Sequence, residues 1–383
     1  MRSEALVVGG GPAGSTVARL LAKDHDVMMA EEHSSPGEPM HCAGLVTRRG
    51  VPKFAEHSIL GLVRGVRFHS PLGYVLSLEA RGSRACVIDR RQFDSILFHK
   101  AVDAGASPLV NAQARAVHDL GNVTRTDIRF EGQLRQLTAG IVVGADGHRS
   151  VCRRCARLPA PKHMLSGIQV DLKEVDIDPE YVEVYFGRSV APGFFAWAIP
   201  AGDRTRVGLC TWDAANPPAV YLKKLLTRRE FARSKKVSTA AGRVPIGPGR
   251  SAVSGRIVLV GDAACHAKPL SGGGVYTAVR GGELCAEASS AFLKGQGTLE
   301  SYDRLCRDEF GRELSRAFRV RKVFLNLTDK KLDKALRIFG EPKVKKLLEE
   351  KGDIDYPASL ASAVLKVAPR LAQFSPQIIE SLL

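Results

Sequence analysis

The chain has 383 residues and a mass of 41.4 kDa, is 44% hydrophobic and 25% charged, and therefore cannot be mainly disordered; two or three domains are expected. No run of 18 apolar residues is present, which excludes a membrane-spanning helix, and eight cysteines without a signal peptide favour a cytoplasmic protein lacking a disulfide framework. The net charge of +16 favours an acidic partner: nucleic acid, anionic lipid or an acidic protein.

The first 45 residues are predicted to form a strand–helix–strand unit. Residues 5–8 are a short apolar run that ends in glycines, as expected for a buried parallel strand. Apolar residues at helical spacing follow, and a second buried run, residues 27–30, stops at the acidic Glu31.

The same patterns predict the remaining elements. In chain order they are a strand from Arg84 to Asp89, a helix ending before Gly105, an antiparallel meander from Leu109 to Thr138, a strand at residues 141–143, a second and mostly antiparallel sheet between residues 163 and 215, a strand from Arg256 to Val260, a long helix from about Gly274, and a helical region over residues 298–383. The sequence thus predicts an α/β protein with a second, β-rich domain.

A glycine-rich turn between the first strand and the first helix fits the dinucleotide-binding pattern G-x-G-x-x-G. Gly9 allows the tight turn, Gly11 lets the backbone approach a pyrophosphate, and Gly14 allows close helix–strand packing. Glu31, 17 residues beyond Gly14, would accept hydrogen bonds from ribose hydroxyls, and Glu32 is one residue out of register. The alternative is a glycine-rich turn without a ligand.

Two further motifs close predicted strands. They are Gly144–Gly147 and Gly261–Ala264, and a glycine-rich helix start follows the second. With the first turn, they resemble FAD-dependent proteins of the glutathione-reductase type, in the branch of aromatic hydroxylases, halogenases and geranylgeranyl reductases. The resemblance implies that Asp262 holds a ribityl hydroxyl, and that Gly274 and Val275 contact the flavin at a helix start that stabilises negative charge. The alternative for Asp262 is a helix cap or a turn aspartate.

The same resemblance implies two further FAD contacts. Arg90, in the segment Arg90–Asp94, would reach the FAD phosphates, unless it is a solvated residue at a helix start. Ala114 would meet the adenine through its backbone. Since only one G-x-G-x-x-G unit is present, the electron donor is expected to be transiently bound NAD(P)H or a ferredoxin-like carrier protein.

The aromatic segment of residues 192–200 resembles two members of this branch. Geranylgeranyl reductases carry Pro-x-x-Tyr-x-Trp-x-Phe-Pro here; the prolines and Trp197 match, whereas Phe195 replaces the tyrosine. Halogenases carry Trp-x-Trp-x-Ile-Pro, so the segment alone is ambiguous. Phe195 and Trp197 are candidate substrate contacts for a polyprenyl chain or an aromatic ring, and a packed sheet core is the alternative.

The segment of residues 36–45 narrows the resemblance to geranylgeranyl reductases of archaeal type. These proteins have a similar Gly-x-Pro-x-x-Cys-x-Gly stretch that passes the flavin ring, and Cys42, Ala43 and Gly44 occupy its end. Cys42 is therefore a candidate flavin contact and a candidate catalytic proton donor; a small buried hydrophobe is the alternative. The segment Gly352–Pro357 also looks like this family.

Other reactive side chains are weaker candidates. Cys152 and Cys155 form a CxxC pair, but no further ligands at suitable spacing stand out, and a plain helix start is favoured over a zinc or redox site. We expect no metal. His266 and Lys268 lie in the loop leading to the flavin, and Lys268 does not correspond to the halogenase lysine.

A basic stretch from Arg321 to Lys351 contains ten Lys and Arg against five Asp and Glu. An apolar helical face follows it, formed by Leu360, Val364, Val367 and Leu371. Together they suggest peripheral contact with an anionic membrane at its inner face; the alternative is a solvated helix packed on its own domain. Nucleic-acid binding is not expected, because no aromatic platform lies among the basic residues.

Taken together, the residues and the resemblance predict FAD-dependent reduction of isoprenoid C=C bonds. The resemblance implies a polyprenyl lipid substrate: a digeranylgeranylglycerophospholipid, a prenyl quinone or a prenyl diphosphate. The alternatives are an FAD-dependent monooxygenase or halogenase acting on an aromatic compound, and a non-catalytic flavin fold that binds a membrane or a partner. The expected domains are 1–155 and 241–297 for FAD, 156–240 for substrate, and 298–383 as a helical cap. The candidate FAD contacts are Gly9, Gly11, Ala13, Gly14, Glu31, Glu32, Cys42, Ala43, Gly44, Arg90, Ala114, Asp262, Gly274 and Val275.

Overall fold

The computed structural model describes residues 1–40, 42–80, 85–212, 214–247 and 251–374. Arg84, the predicted start of a strand, and residues 375–383 of the predicted helical region lie outside the described residues. The strands are β1 (Arg2–Val8), β2 (Val27–Ala30), β3 (Leu45–Thr47), β4 (Ile59–Val63), β5 (Gly65–His69), β6 (Val75–Glu79), β7 (Ala85–Ile88), β8 (Ser107–Leu109), β9 (Ala112–Asp119), β10 (Thr124–Phe130), β11 (Gln133–Gly144), β12 (His163–Lys173), β13 (Tyr181–Tyr185), β14 (Ala196–Ala201), β15 (Arg204–Thr211), β16 (Lys235–Ile246), β17 (Val253–Ser254) and β18 (Ile257–Leu259). The helices are α1 (Pro12–Leu21), α2 (Arg90–Asp103), α3 (Val151–Cys155), α4 (Pro218–Leu225), α5 (Val275–Leu293), α6 (Ser301–Cys306), α7 (Arg312–Asn326), α8 (Asp329–Phe339), α9 (Pro342–Lys351) and α10 (Ala361–Val367).

An eight-stranded sheet forms the first layer of the fold. Its order is β17-β18-β11-β1-β2-β8, and the antiparallel strands β9 and β10 extend β11. β1 pairs in parallel with both β2 and β11, and β18 pairs in parallel with β11. The apolar runs read from the sequence are therefore central strands buried on both faces, and the motifs that follow them meet at one edge of the sheet.

A seven-stranded sheet of order β16-β12-β15-β14-β13-β5-β6 forms the second layer. A small sheet, β3-β7-β4, packs against β13 and β14 and against α2 and α5. The sequence prediction assigned residues 65–79 to the first FAD segment, but β5 and β6 belong to the seven-stranded sheet, where β5 pairs in parallel with β13. The predicted boundary at residue 240 also falls inside β16. Both differences arise from backbone pairing between distant segments, which local patterns do not encode.

The carboxyl-terminal region is helical over its described part, from α6 to α10. This architecture confirms the predicted layers: an α/β domain, a second and mostly antiparallel sheet, and a helical carboxyl-terminal region. Among the described helices, none is both long and apolar enough to cross a bilayer.

Candidate active site

A cavity of about 2090 Å³ lies between the two large sheets and the carboxyl-terminal helices. Ordinary ligand pockets measure roughly 300–1,000 Å³, so this cavity is large enough for a dinucleotide together with a second ligand. The glycine-rich turn after β1 lines this cavity, and so do apolar residues of α8 and α10, among them Leu336, Phe339 and Val364. All fourteen candidate FAD contacts except Gly14 line this cavity.

The glycine turn has the shape that a bound pyrophosphate requires. Gly9 has φ of +106°, and a Cβ there would lie 2.7 Å from the carbonyl carbon of Ala145. A Cβ on Gly14 would overlap the carbonyl oxygen of Gly9, so both positions are fixed by packing. At Gly11, by contrast, a Cβ would meet nothing within 4 Å and would project into open space. The backbone at Gly11 is thus accessible to an anion beside the amino end of α1.

Two acids lie where β2 ends. Glu31 is 8% exposed, and its carboxylate accepts hydrogen bonds from the backbone N–H of Gly10 (2.8 Å) and from the backbone and Nδ1 of His33 (2.9 and 2.8 Å). A carboxylate has about four acceptor positions, so one remains for a ribose hydroxyl. Glu32 is exposed and accepts from Gln113 at 2.8 Å. Ala114, on β9, is buried and also lines the cavity.

Asp262 follows β18 and is partly buried in the cavity wall. Among the described residues, no donor forms a hydrogen bond with its side chain, and its Oδ1 lies 3.3 Å from where a Cβ of Gly274 would be. Burial raises the pKa of Asp262 to about 6, against the opposing effect of Arg90 and Arg153. An acceptor without a donor beside the start of α5 fits a ribityl hydroxyl, and together with the glycine turn it fits FAD.

Cys42 is half-buried in the cavity wall, and its Sγ accepts a hydrogen bond from the backbone N–H of Gly44 at 3.3 Å. The guanidinium of Arg90 contacts this thiol and also binds Asp94 through two hydrogen bonds, of 3.0 and 2.8 Å. The Arg90 side chain is 16% exposed, so it is not the solvated helix-start residue of the alternative. Its contact with FAD phosphates stays a prediction.

Aromatic side chains form one wall of the cavity. Phe194 and Phe195 are stacked with ring centres 4.1 Å apart, and Trp197 donates from Nε1 to Gln169 at 3.3 Å. Phe195 also packs edge-on against Phe186, at 5.9 Å. Phe195 and Trp197 are partly exposed to the cavity, so they form its surface in addition to packing within the sheet.

A buried ionic network at the glycine-rich loop was missed by the sequence analysis. Lys268 donates to Asp355 at 2.6 Å, and Asp355 also accepts from Thr47 (2.6 Å) and Arg49 (3.0 Å). Asp355 is 2% exposed. The similarity of the segment Gly352–Pro357 to the reductase family was the one available signal, because nothing local links residue 355 to residue 268.

The other reactive side chains that the sequence analysis considered, Cys152, Cys155 and His266, are buried or partly buried. Cys152 is fully buried, which raises the pKa of its thiol well above the usual range, and Cys155 accepts from the backbone of Val117 at 3.4 Å. Both are free thiols. His266 is 4% exposed, and burial lowers its pKa to about 4, so the ring is neutral near pH 7.

The apolar face predicted after the basic stretch is mostly covered by the protein itself. Val364 and Leu371 are buried in a cluster with Ala335 and Ile338, and among the predicted face residues only Val367 is strongly exposed, at 42%. The alternative of a helix packed on its own domain therefore describes the apolar face, whereas membrane contact by the basic stretch stays a prediction. Arg321, the first residue of the basic stretch, is itself buried.

Comparison with known proteins identifies the family to which this chain belongs. Residues 2–314 match the FAD binding domain family, which confirms FAD as the cofactor. Digeranylgeranylglycerophospholipid reductase 2 of Methanothermobacter thermautotrophicus is 31% identical over 88% of this chain and 91% of its own length. The digeranylgeranylglycerophospholipid reductase of Methanothrix thermoacetophila is 30% identical, over 91% and 94%. A geranylgeranyl bacteriochlorophyll reductase-like protein of Thermoplasma acidophilum shares the fold, with a TM-score of 0.85, 24% identity, and 100% and 98% of the chains covered. The chain therefore belongs to the geranylgeranyl reductase family of FAD-dependent oxidoreductases.

Proposed function

We propose that this oxidoreductase reduces C=C bonds in the geranylgeranyl chains of a lipid such as a digeranylgeranylglycerophospholipid. The observation that carries the proposal is the single cavity that joins the candidate FAD contacts to an apolar, aromatic compartment. A flexible hydrocarbon chain has almost no polar groups to recognise, so it needs this kind of long apolar surface. The names of the two archaeal relatives support the same substrate class.

The residues of the cavity bind the lipid chain, orient it and exclude water. Phe186, Phe195 and Trp197 pack in one cluster with Ala43, a candidate FAD contact, and Leu336 and Phe339 add further apolar lining. An isolated alkene is a poor electrophile, so holding one double bond at a fixed place in a water-free compartment contributes much of the rate. The loss of the family tyrosine hydroxyl at Phe195 leaves this wall less polar.

Reduction of an alkene adds a hydride to one carbon and a proton to the other. FAD, when bound, supplies the hydride chemistry. The chain supplies the proton, and Cys42 is the residue we assign to it. Donation of the proton from its Sγ to the second carbon leaves a thiolate, which the adjacent Arg90 guanidinium stabilises.

The direct test is mass spectrometry of geranylgeranyl lipids after anaerobic incubation with dithionite-reduced protein. We expect a gain of two hydrogens for each reduced double bond. Cys42→Ala should bind FAD and lose most turnover, whereas the matched control Cys155→Ala should keep it. Full turnover by Cys42→Ala would remove the proton-donor role while leaving the reductase assignment intact.

Two results would contradict the reductase assignment. Oxygen uptake with an aromatic substrate, without lipid reduction, would favour a monooxygenase or halogenase. A folded but colourless protein that takes up no FAD on titration would favour a non-catalytic fold.

The electron donor is part of the proposal and has its own test. Anaerobic bleaching of the flavin by NADH, NADPH or a reduced ferredoxin separates a nicotinamide donor from a carrier protein.

A further inference from the structure

Two chain segments meet where Cys42 contacts Arg90. One is the segment Cys42–Gly44, which runs along the cavity wall. The other leaves β7 at Ile88 and enters α2 at Arg90. A third element lies behind both of them, because β15 of the seven-stranded sheet directs the side chain of Arg206 to this junction.

One nitrogen of Arg206 joins the two segments. Its Nη1 donates to the carbonyl oxygens of Ala43 and Ile88, both at 2.9 Å. The backbone N–H of Ile88 donates to the carbonyl oxygen of Gly44, also at 2.9 Å. Gly44 has φ of +75°, and a Cβ there would overlap Nη1, so glycine is required for the approach of the guanidinium.

The carboxylate that faces the positive charge of Arg206 lies beyond hydrogen-bond distance. Asp171 stands opposite it on β12, but Nε and Oδ1 are 3.8 Å apart, which is too long for a hydrogen bond. Neither of these two atoms has a hydrogen-bond partner among the described residues. The shortest contacts of this 5%-exposed arginine are therefore with backbone carbonyls, and the position of those carbonyls depends on it.

We propose that Arg206 is a positioning residue that sets the contact between Cys42 and Arg90. It fixes the carbonyl group adjacent to Cys42 and the carbonyl group two residues before Arg90, and it does so through a single nitrogen. On the same strand the Trp197 ring lies over Gly208, where a Cβ would be 2.7 Å from the ring. This role rests on the part that the proposed function gives to Cys42, and not on the identity of the substrate.

The alkylation rate of Cys42 reports on this contact, because a thiol beside a guanidinium is alkylated faster than a thiol without one. The experiment uses iodoacetamide and peptide mass spectrometry on the purified full-length protein, with and without FAD. In Arg206→Met we expect Cys42 to react about fivefold more slowly. Cys155, whose surroundings are separate, should keep its rate.

A double-mutant cycle distinguishes positioning from general support of the fold. In an Arg90→Met background the contact is already lost, so Arg206→Met should change the Cys42 rate no further. An unchanged or faster Cys42 rate, an equal change at Cys155, or the same fold-change in both backgrounds would overturn the proposal. If Arg206→Met fails to fold, Arg206→Lys takes its place; it keeps the charge opposite Asp171 but lacks the guanidinium geometry. We then expect Cys42 to react about twofold more slowly, and a wild-type rate would overturn the proposal.

Discussion

Substitution by alanine at two glycines of the turn after β1 should affect different properties: the stability of the protein at Gly14 and its affinity for FAD at Gly11. Gly14→Ala places a methyl group onto the carbonyl oxygen of Gly9 and within 3.0 Å of the Ala145 side chain, so α1 must shift away from β1. Overpacking of this kind costs about 1–3 kcal/mol. At Gly11 the backbone has φ of −71° and ψ of −176°, which alanine adopts without strain, and the methyl group meets nothing within 4 Å. The stability of Gly11→Ala should therefore stay within about 0.5 kcal/mol of wild type.

The methyl group on Gly11 would occupy the space predicted for the pyrophosphate of FAD. We expect FAD to bind at least about tenfold more weakly, which corresponds to about 1.4 kcal/mol. Thermal unfolding of the FAD-free protein measures the first quantity, and flavin fluorescence titration measures the second. Wild-type FAD affinity in Gly11→Ala would refute this placement of the cofactor. A loss of stability as large as that of Gly14→Ala would refute the reasoning about open space.

Three further variants test the cavity and its surroundings. Because the pKa of Asp262 is raised, the folded FAD-free protein binds the Asp262 proton more tightly than the unfolded chain does, and the stability falls as the pH rises from about 4 to about 6. Asp262→Asn should remove this pH dependence of the stability, measured by thermal unfolding at several pH values. The same variant should bind FAD more weakly. Asp355→Ala leaves the Lys268 ammonium buried without its carboxylate and should lower the free energy of unfolding, measured with denaturant, by about 3–5 kcal/mol. The control Asp353→Ala changes a 31%-exposed side chain and should lower it by less than about 1 kcal/mol. Similar losses of stability in the two variants would argue against the network. Leu336→Trp narrows the cavity where α8 lines it and should reduce turnover of geranylgeranyl lipids more than turnover of a shorter prenyl substrate, with the flavin spectrum unchanged. Equal effects on both substrates would place the lipid chain elsewhere.

Much of the cofactor site could be predicted because its requirements are local. The turn that begins at Gly9 needs a positive φ and no side chain, and a buried strand before it and a helix after it are visible as apolar patterns. Parallel strands also bring their carboxyl ends to one edge, so the motifs that follow β1, β2, β11 and β18 could be expected to meet there.

The sequence by itself determined which segments are buried strands, where glycine is obligatory, and which family's motifs are present. Only the tertiary structure decided that β5 and β6 join the seven-stranded sheet, that Lys268 is paired with Asp355, and that Arg206 lies behind Cys42. It also decided that the apolar face after residue 360 is covered by α8. The physical reason is that periodicity and turn chemistry act over a few neighbouring residues. Strand pairing, buried ion pairs and cavity walls join residues that only packing brings together.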